Sequence, residues 1–223
     1  MPEMTNNVLI NILFVLGTLQ VLWLYHALVR RGITATYLWQ ATPPLLAIWV
    51  LLWPVYTNTI SMLFPIAFCL ALLALTYIHN GKFFITMRSI WGTDFPLHTL
   101  SLWLSLSIAL YFFQNAAEFG FALALVVCFS FPLADVLDRI PSFRPLGLPL
   151  HPKHTLMGHL ALMCSITALS SWSVHVYQPL QWKLLIFATI IAASAASLIR
   201  ALLPSPWYLP IATLSMGLLL QQL

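Results

Sequence analysis

The sequence predicts an all-α protein, built as one polytopic bundle of about seven or eight transmembrane helices. Of its 223 residues, 61% are hydrophobic and only 6% are charged. A soluble domain of this size could not bury that much apolar surface. Apolar runs of about 20 residues, the length that crosses a bilayer core, recur along the whole chain. We therefore predict a single integral membrane domain over residues 1–223.

Polar or proline-rich connections separate the apolar runs and set the order of the spans. The predicted spans cover residues 8–28, 36–54, 59–79, 97–115, 117–137, 155–173, 181–202 and 207–222. The first run follows a segment with Glu3 and no cation, whereas a cleaved signal peptide begins with positive charge, so we expect it to remain as a span. The last run is short and contains Pro210 near its start, so we expect a tilted, re-entrant or bundle-packed helix.

The distribution of cations predicts the orientation. With the N-terminus outside, eight of the nine cations fall on one side, and only Lys183 falls on the other. Short loops rich in lysine and arginine stay in the cytoplasm, which places the charged loops there and suggests a bacterial inner membrane. Because the cations at helix ends are this topology signal, we expect membrane lipids and no nucleic acid as partners. The eight cations are Arg30, Arg31, Lys82, Arg88, Arg139, Arg144, Lys153 and Arg200.

One segment, residues 135–159, concentrates the few ionic groups of the chain. Charge is costly next to hydrocarbon, so such a cluster marks a candidate functional site. Four prolines between residues 141 and 152 exclude a continuous helix there. The ionic and histidine residues of the segment are Asp135, Asp138, Arg139, Arg144, His151, Lys153, His154 and His159.

Asp135 and Asp138 lie one helical turn apart and share a face at the end of a predicted span. Carboxylates in that position can hold Mg²⁺, which takes one or two carboxylates together with substrate phosphates. Phosphoryl transfer needs such a metal and cations near the phosphates, which Arg139, Arg144 and Lys153 can supply. The alternative is a helix end that is simply solvated by the loop.

The segment HPKHTLMGH, residues 151–159, leads directly into a span. Thr155 can act as the N-cap, and the free amides of a helix N-terminus form an anion site that Lys153 and His154 would reinforce. A histidine metal site of His151, His154 and His159 is an alternative, as is a haem held by two histidines from different spans.

Arg200 lies near the end of a mostly apolar helix. We expect it either to extend to the cytoplasmic surface or to face the bundle and pair with a carboxylate or a phosphate. The first arrangement is favoured on sequence alone.

Three stretches resemble a known family of membrane enzymes. These are WGTDFPLHTL (91–100), KHTLMGHLAL (153–162) and AASLIRALLPSPWYLPI (195–211), in matching order and spacing. The chain thereby resembles the dolichol kinases and phytol kinases, which phosphorylate isoprenoid alcohols with CTP and are related to phosphatidate cytidylyltransferases. The resemblance covers roughly residues 30–223. It implies a helical bundle, Mg²⁺ as cofactor and CTP as co-substrate.

The chain departs from this family at its acidic positions. Acids of the family pattern fall on Phe131, Met157 and Arg200, and the Asp-Asn of the tail falls on Ser205-Pro206. The pattern retains Lys153, Thr155, Gly158 and Pro210.

Three functions follow as hypotheses. The first is a lipid-alcohol kinase in which an isoprenoid alcohol enters from the bilayer and Asp135, Asp138 and Lys153 are catalytic, with both aspartates on Mg²⁺. The second is a catalytically silent homologue that serves as a lipid-binding or assembly subunit with a membrane protein partner. The third is a small transporter or a haem- or metal-binding protein. In the kinase, the phosphates of CTP would be bound by Arg139, Arg144, Lys153, His154, Thr155 and Gly158.

The contents of the site discriminate between the first two hypotheses. Convergence of Asp135 and Asp138 with Lys153 favours catalysis. A site filled by Phe131, Met157 and Arg200 favours the silent homologue, because none of these side chains can bind a metal cation.

Overall fold

The structure is a computed structural model that describes residues 2–91, 95–140, 142, 147–148, 151–203 and 206–222. Its helices are α1 (Pro2–Arg30), α2 (Ala35–Leu51), α3 (Thr59–Ile78), α4 (Lys82–Trp91), α5 (Phe95–Asn115), α6 (Ala117–Leu125), α7 (Phe131–Asp138), α8 (Leu156–Tyr177), α9 (Trp182–Leu202) and α10 (Tyr208–Leu220). A 3₁₀ turn covers Trp53–Val55, and a π-helical turn, Val126–Ser130, joins α6 to α7. Two short strands, β1 (Gly147–Leu148) and β2 (His151–Thr155), precede α8.

The all-α prediction is confirmed, and so are the seven long spans. Seven helical segments of the described chain are long and apolar enough to cross a membrane, and the protein is therefore an integral membrane protein. They cover Asn6–Arg30, Tyr37–Val55, Thr59–Ile78, Leu97–Asn115, Ala117–Asp138, Leu156–Tyr177 and Trp182–Leu202. The eighth predicted span corresponds to α10, whose 13 residues extend over about 20 Å, less than a bilayer core.

The chain divides into two compact units, Met1–Thr99 and Leu100–Leu223. In the first unit, α4 packs against α1, α2 and α3. The predicted spans leave residues 80–96 as a connection, so the sequence did not predict this helix. It forms because Met87 is fully buried in a small core with Tyr25 and Leu38, against which Phe83 also packs. Arg88 on the same helix donates to backbone carbonyls at the end of α3, where a cation is favourable.

The second unit contains most of α5 and all later elements. Its centre is α8, which packs against α6, α7 and α9, while α10 packs against α9. The span Ala117–Asp138 changes to π geometry at Val126–Ser130, where the amide of Phe131 donates to the carbonyl of Val126. The cause is Pro132, which has no N–H to donate to the carbonyl four residues earlier. The continuation of this span, α7, carries both aspartates.

The proline-rich connection after α7 contains an antiparallel hairpin where it is described. Gly147 pairs with Thr155, and Leu148 pairs with His151. The prediction that this connection is not a continuous helix is thus confirmed for its described part. Strand β2 runs directly into α8 and brings His154 and Thr155 to the end of α7.

Gly120 allows the close approach of α5 and α6. A Cβ atom at Gly120 would overlap the backbone of Phe113, and backbone atoms within a helix cannot move aside as the end of a flexible side chain can.

We expect Gly120→Ala to lower the free energy of unfolding by about 1–3 kcal/mol, because the cost of this overlap exceeds the gain in helix propensity. The measurement is the apparent Tm in detergent micelles at a fixed scan rate.

Gly17 provides the matched control, because a Cβ atom there meets nothing within 4 Å. Gly17→Ala should leave the apparent Tm unchanged or slightly higher. Equal Tm values for the two variants would contradict the close packing at Gly120.

Candidate functional site

Two carboxylates of the second unit converge on Arg200, which lies in the last turn of α9. The Arg200 side chain is 0% exposed. Its Nη2 donates to Oδ1 of Asp135 at 2.6 Å and to Oδ2 of Asp138 at 2.7 Å, so a single nitrogen bridges both carboxylates. The favoured expectation that Arg200 extends to the surface is therefore wrong. Burial without pairing would leave an uncompensated charge, and the two aspartates remove that cost.

Asp138 accepts more hydrogen bonds than Asp135, and its side chain is only 7% exposed. Besides Arg200, His154 Nδ1 donates to Oδ2 at 2.8 Å. The backbone amide and the hydroxyl of Thr155 both donate to Oδ1 at 2.8 Å. A carboxylate offers about four lone-pair positions, and these four donors occupy them. Asp138 thus joins α7 to β2, to the start of α8 and to α9.

The N-terminus of α8 is organised around the same carboxylate. Thr155 is the N-cap, as predicted, and its hydroxyl oxygen accepts from the amide of Gly158 at 3.0 Å. Asp138 takes the position at this helix end that an external anion would occupy. Gly158 is required for the approach, because a Cβ atom there would overlap Oδ1 of Asp138.

Asp135 is the point where the network reaches the surface, because its side chain is 37% exposed. The hydroxyl of Tyr208 donates to its Oδ2 at 3.2 Å. The Tyr208 ring lies 5.9 Å from the guanidinium carbon of Arg200 and 5.8 Å from the ring centre of Phe131. Sequence reasoning missed Tyr208. Its one signal was a polar aromatic in the first turn of an apolar helix soon after Arg200 in the chain.

His159 forms a second, deeper layer of the site. Its Nδ1 lies 2.6 Å from the hydroxyl oxygen of Ser197, one turn before Arg200 on α9. At this site, three buried nitrogen atoms have no hydrogen-bond partner among the described residues: Nε and Nη1 of Arg200, and Nε2 of His159. Buried polar atoms left unpaired cost about 1–3 kcal/mol each. These atoms therefore leave hydrogen-bonding capacity of the site unused.

The remaining predicted site residues are not all brought into this network. Arg139 follows α7 and is exposed. Lys153 lies in β2, but its side chain, like that of His151, is outside the described part of the structure, and so is Arg144. Met157 is half-buried in the first turn of α8. Among the described residues, no three His, Cys, Asp or Glu side chains are grouped as a metal site would need.

The sequence segment that supplies most of these ionic groups has a positive formal charge. The segment 135–159 and Arg200 together contain four lysine or arginine residues and two aspartates, a net charge of +2 with neutral histidines.

Comparison of the chain with protein-family models, curated proteins and solved structures gives no match. The function must therefore be argued from the chemistry of the site itself.

The two aspartates differ in burial, and their amide variants should differ in stability. We expect Asp138→Asn to lower the free energy of unfolding by about 2–4 kcal/mol, because every group that contacts this carboxylate is a donor and one would face the new amide N–H. Asp135→Asn removes the same charge at a half-exposed position, where Tyr208 can accept from the amide. Its cost should be at most about 1 kcal/mol. Thermal unfolding of both variants in the same micelles measures the difference, and equal losses would contradict the network.

Proposed function

We propose that this protein binds an anionic, phosphate-bearing lipid headgroup at the Arg200 site and does not transfer the phosphate. This is the silent-homologue hypothesis in its lipid-binding form. The observation that carries it is the position of Arg200. Its Nη2 lies between Asp135 and Asp138, while Nε and Nη1 have no partners among the described residues. The guanidinium is a fixed cation where a phosphotransferase would hold a metal ion.

Loss of transfer is supported by the occupation of both carboxylates. Enzymes of phosphoryl transfer use divalent cations to neutralise the charge that develops on the phosphate. Mg²⁺ would need carboxylate oxygens that here accept from Arg200, His154 and Thr155. Displacing these donors would leave a buried guanidinium unpaired, at a cost of about 3–5 kcal/mol.

Binding of an anionic lipid is supported by charge, geometry and depth. The sequence segment around the site carries more cations than carboxylates, and a guanidinium matches the oxygens of a phosphate. The site lies where α7 and α9 end and α8 begins, the depth at which lipid headgroups meet helix ends. On the positive-inside rule, we further propose that this end faces the cytoplasm.

Delipidated protein should respond to phosphate on a lipid. We expect phosphatidic acid and polyprenyl phosphate to raise the apparent Tm by several degrees, because a ligand that binds only the folded state stabilises it. Diacylglycerol and polyprenol, the uncharged counterparts, should have little effect. Arg139→Gln, at an exposed cation beside the site, should reduce the shift, whereas Lys183→Gln, at the opposite end of α9, should not. Equal shifts with charged and uncharged lipids would overturn the proposal.

A second candidate, the lipid-alcohol kinase, is favoured by the exposure of Asp135. Its side chain is 37% exposed, and among the described residues Tyr208 donates to its Oδ2. This carboxylate is therefore the group most open to a metal or to a substrate hydroxyl. The resemblance to the kinases implies that Lys153 would bind phosphate, together with His154.

The kinase candidate has a direct test in the purified protein. Incubation with CTP, Mg²⁺ and an isoprenoid alcohol would yield a phosphorylated lipid, and Asp135→Asn would abolish it, because the variant removes the accessible carboxylate. Thin-layer chromatography with γ-labelled CTP or ATP measures the product. Absence of label in every lipid alcohol tried would exclude this candidate and leave the binding proposal standing.

A further inference from the structure

The polar groups of the site lie in two layers along the axes of α8 and α9. The first layer holds Arg200 with Asp138 at the capped start of α8. The second layer is the pair His159 and Ser197. His159 lies four residues after the cap on α8, and Ser197 lies three residues before Arg200 on α9. Both are thus about one helical turn, roughly 5 Å, further from the helix ends.

Each layer presents buried nitrogen atoms without partners among the described residues. In the first layer these are Nε and Nη1 of Arg200, whose side chain is 0% exposed. In the second it is Nε2 of His159, a residue that is 7% exposed. His154 links the two layers, because its ring lies 5.9 Å from that of His159 and its Nδ1 donates to Asp138, which also binds Arg200. A ligand that satisfies both layers needs two oxygen-bearing groups at different depths.

We infer that the lipid bound at Arg200 is a glycerophospholipid, with its phosphate on Arg200 and a glycerol-ester oxygen on His159 Nε2. This inference rests on the proposed function and names the class of ligand. A glycerophospholipid carries ester oxygens a few bonds below its phosphate, at a depth that matches the second layer. A polyprenyl phosphate offers only hydrocarbon there, and would leave the imidazole nitrogen buried and unpaired. Sites that hydrogen-bond a ligand group discriminate against analogues that lack it.

Ser197 acts as a positioning residue in this arrangement. An ester carbonyl accepts hydrogen bonds only, so His159 must carry its proton on Nε2. Nδ1 is then an acceptor, and the hydroxyl of Ser197 donates to it across 2.6 Å. The serine thereby sets the tautomer that presents a donor to the ligand.

The experiment compares two phosphate-bearing lipids added to delipidated protein in dodecyl maltoside micelles, with inorganic phosphate as a third arm. Native mass spectrometry after titration gives the ratio of affinities for phosphatidic acid and polyprenyl phosphate. Wild-type protein should favour phosphatidic acid about three- to tenfold, the effect of one hydrogen bond. Inorganic phosphate should not compete at the same concentrations, because it reaches only the first layer.

Substitution at His159 separates the two layers. His159→Leu should abolish the preference by weakening phosphatidic acid alone, whereas His159→Gln, which keeps an N–H donor, should retain part of it. His26→Leu is the matched control, because His26 also has a buried ring nitrogen without a partner among the described residues but lies in the first unit. It should leave the preference unchanged.

The outcomes distinguish this inference from the function on which it rests. Equal affinities in the wild type, tighter binding of polyprenyl phosphate, or an undiminished preference in His159→Leu would overturn the glycerophospholipid and leave lipid binding intact. Binding of neither lipid would overturn the proposed function as well, and would assign the open positions to water. The wild-type ratio needs no variant, so a misfolded substitution does not remove the test.

Discussion

A buried guanidinium bridging two carboxylates is the interaction on which the second unit depends. Moving one ion from water into a protein interior costs several kcal/mol, and Arg200 is completely buried. Asp135 and Asp138 offset that cost, but only if α7 and α9 hold their ends together. His154 and Thr155 then bind the remaining oxygens of Asp138 and fix the hairpin and the start of α8 to the same point. The end of the unit is therefore organised by electrostatics, whereas its interior is organised by apolar packing.

The same interaction explains how two neighbouring carboxylates can share one site without a metal ion. Arg200 brings a permanent positive charge to them. Phe131, which is buried, packs near Tyr208 beside the same group. A carboxylate pair requires a cation, and here the chain itself provides one. Stability and metal binding thus compete for the same two side chains.

The spans could be predicted from sequence because hydropathy is a local property that a window of about 20 residues reveals. The N-cap at Thr155 was equally local, since residue type and the following apolar run define it. Helix α4 was missed because its ten residues include Lys82 and Arg88, and only packing of Met87 against Tyr25 and Leu38 stabilises it. Tertiary context therefore decided that element.

The pairing of Arg200 was beyond local reasoning. Its partners lie 65 and 62 residues earlier in the chain, and no spacing rule connects the end of one span to the end of another. Tyr208 and the hydrogen bond between His159 and Ser197 depend on the same packing of α8, α9 and α10. The sequence indicated that ionic groups gather at this end, but it did not show which of them neutralise one another.

The π turn at Val126–Ser130 sets the direction in which the side chains of α7 point around the helix axis. In regular α-helix each residue advances the side-chain direction by about 100°, so the loss of one residue from this turn would rotate Asp135 and Asp138 together by that angle. Both would then point away from Arg200, although hydropathy and helix length would hardly change. The irregularity that Pro132 causes in this span therefore sets the direction in which both aspartates point. Among insertions and deletions in the span, the Arg200 site can tolerate those that preserve the number of residues between Val126 and Asp135.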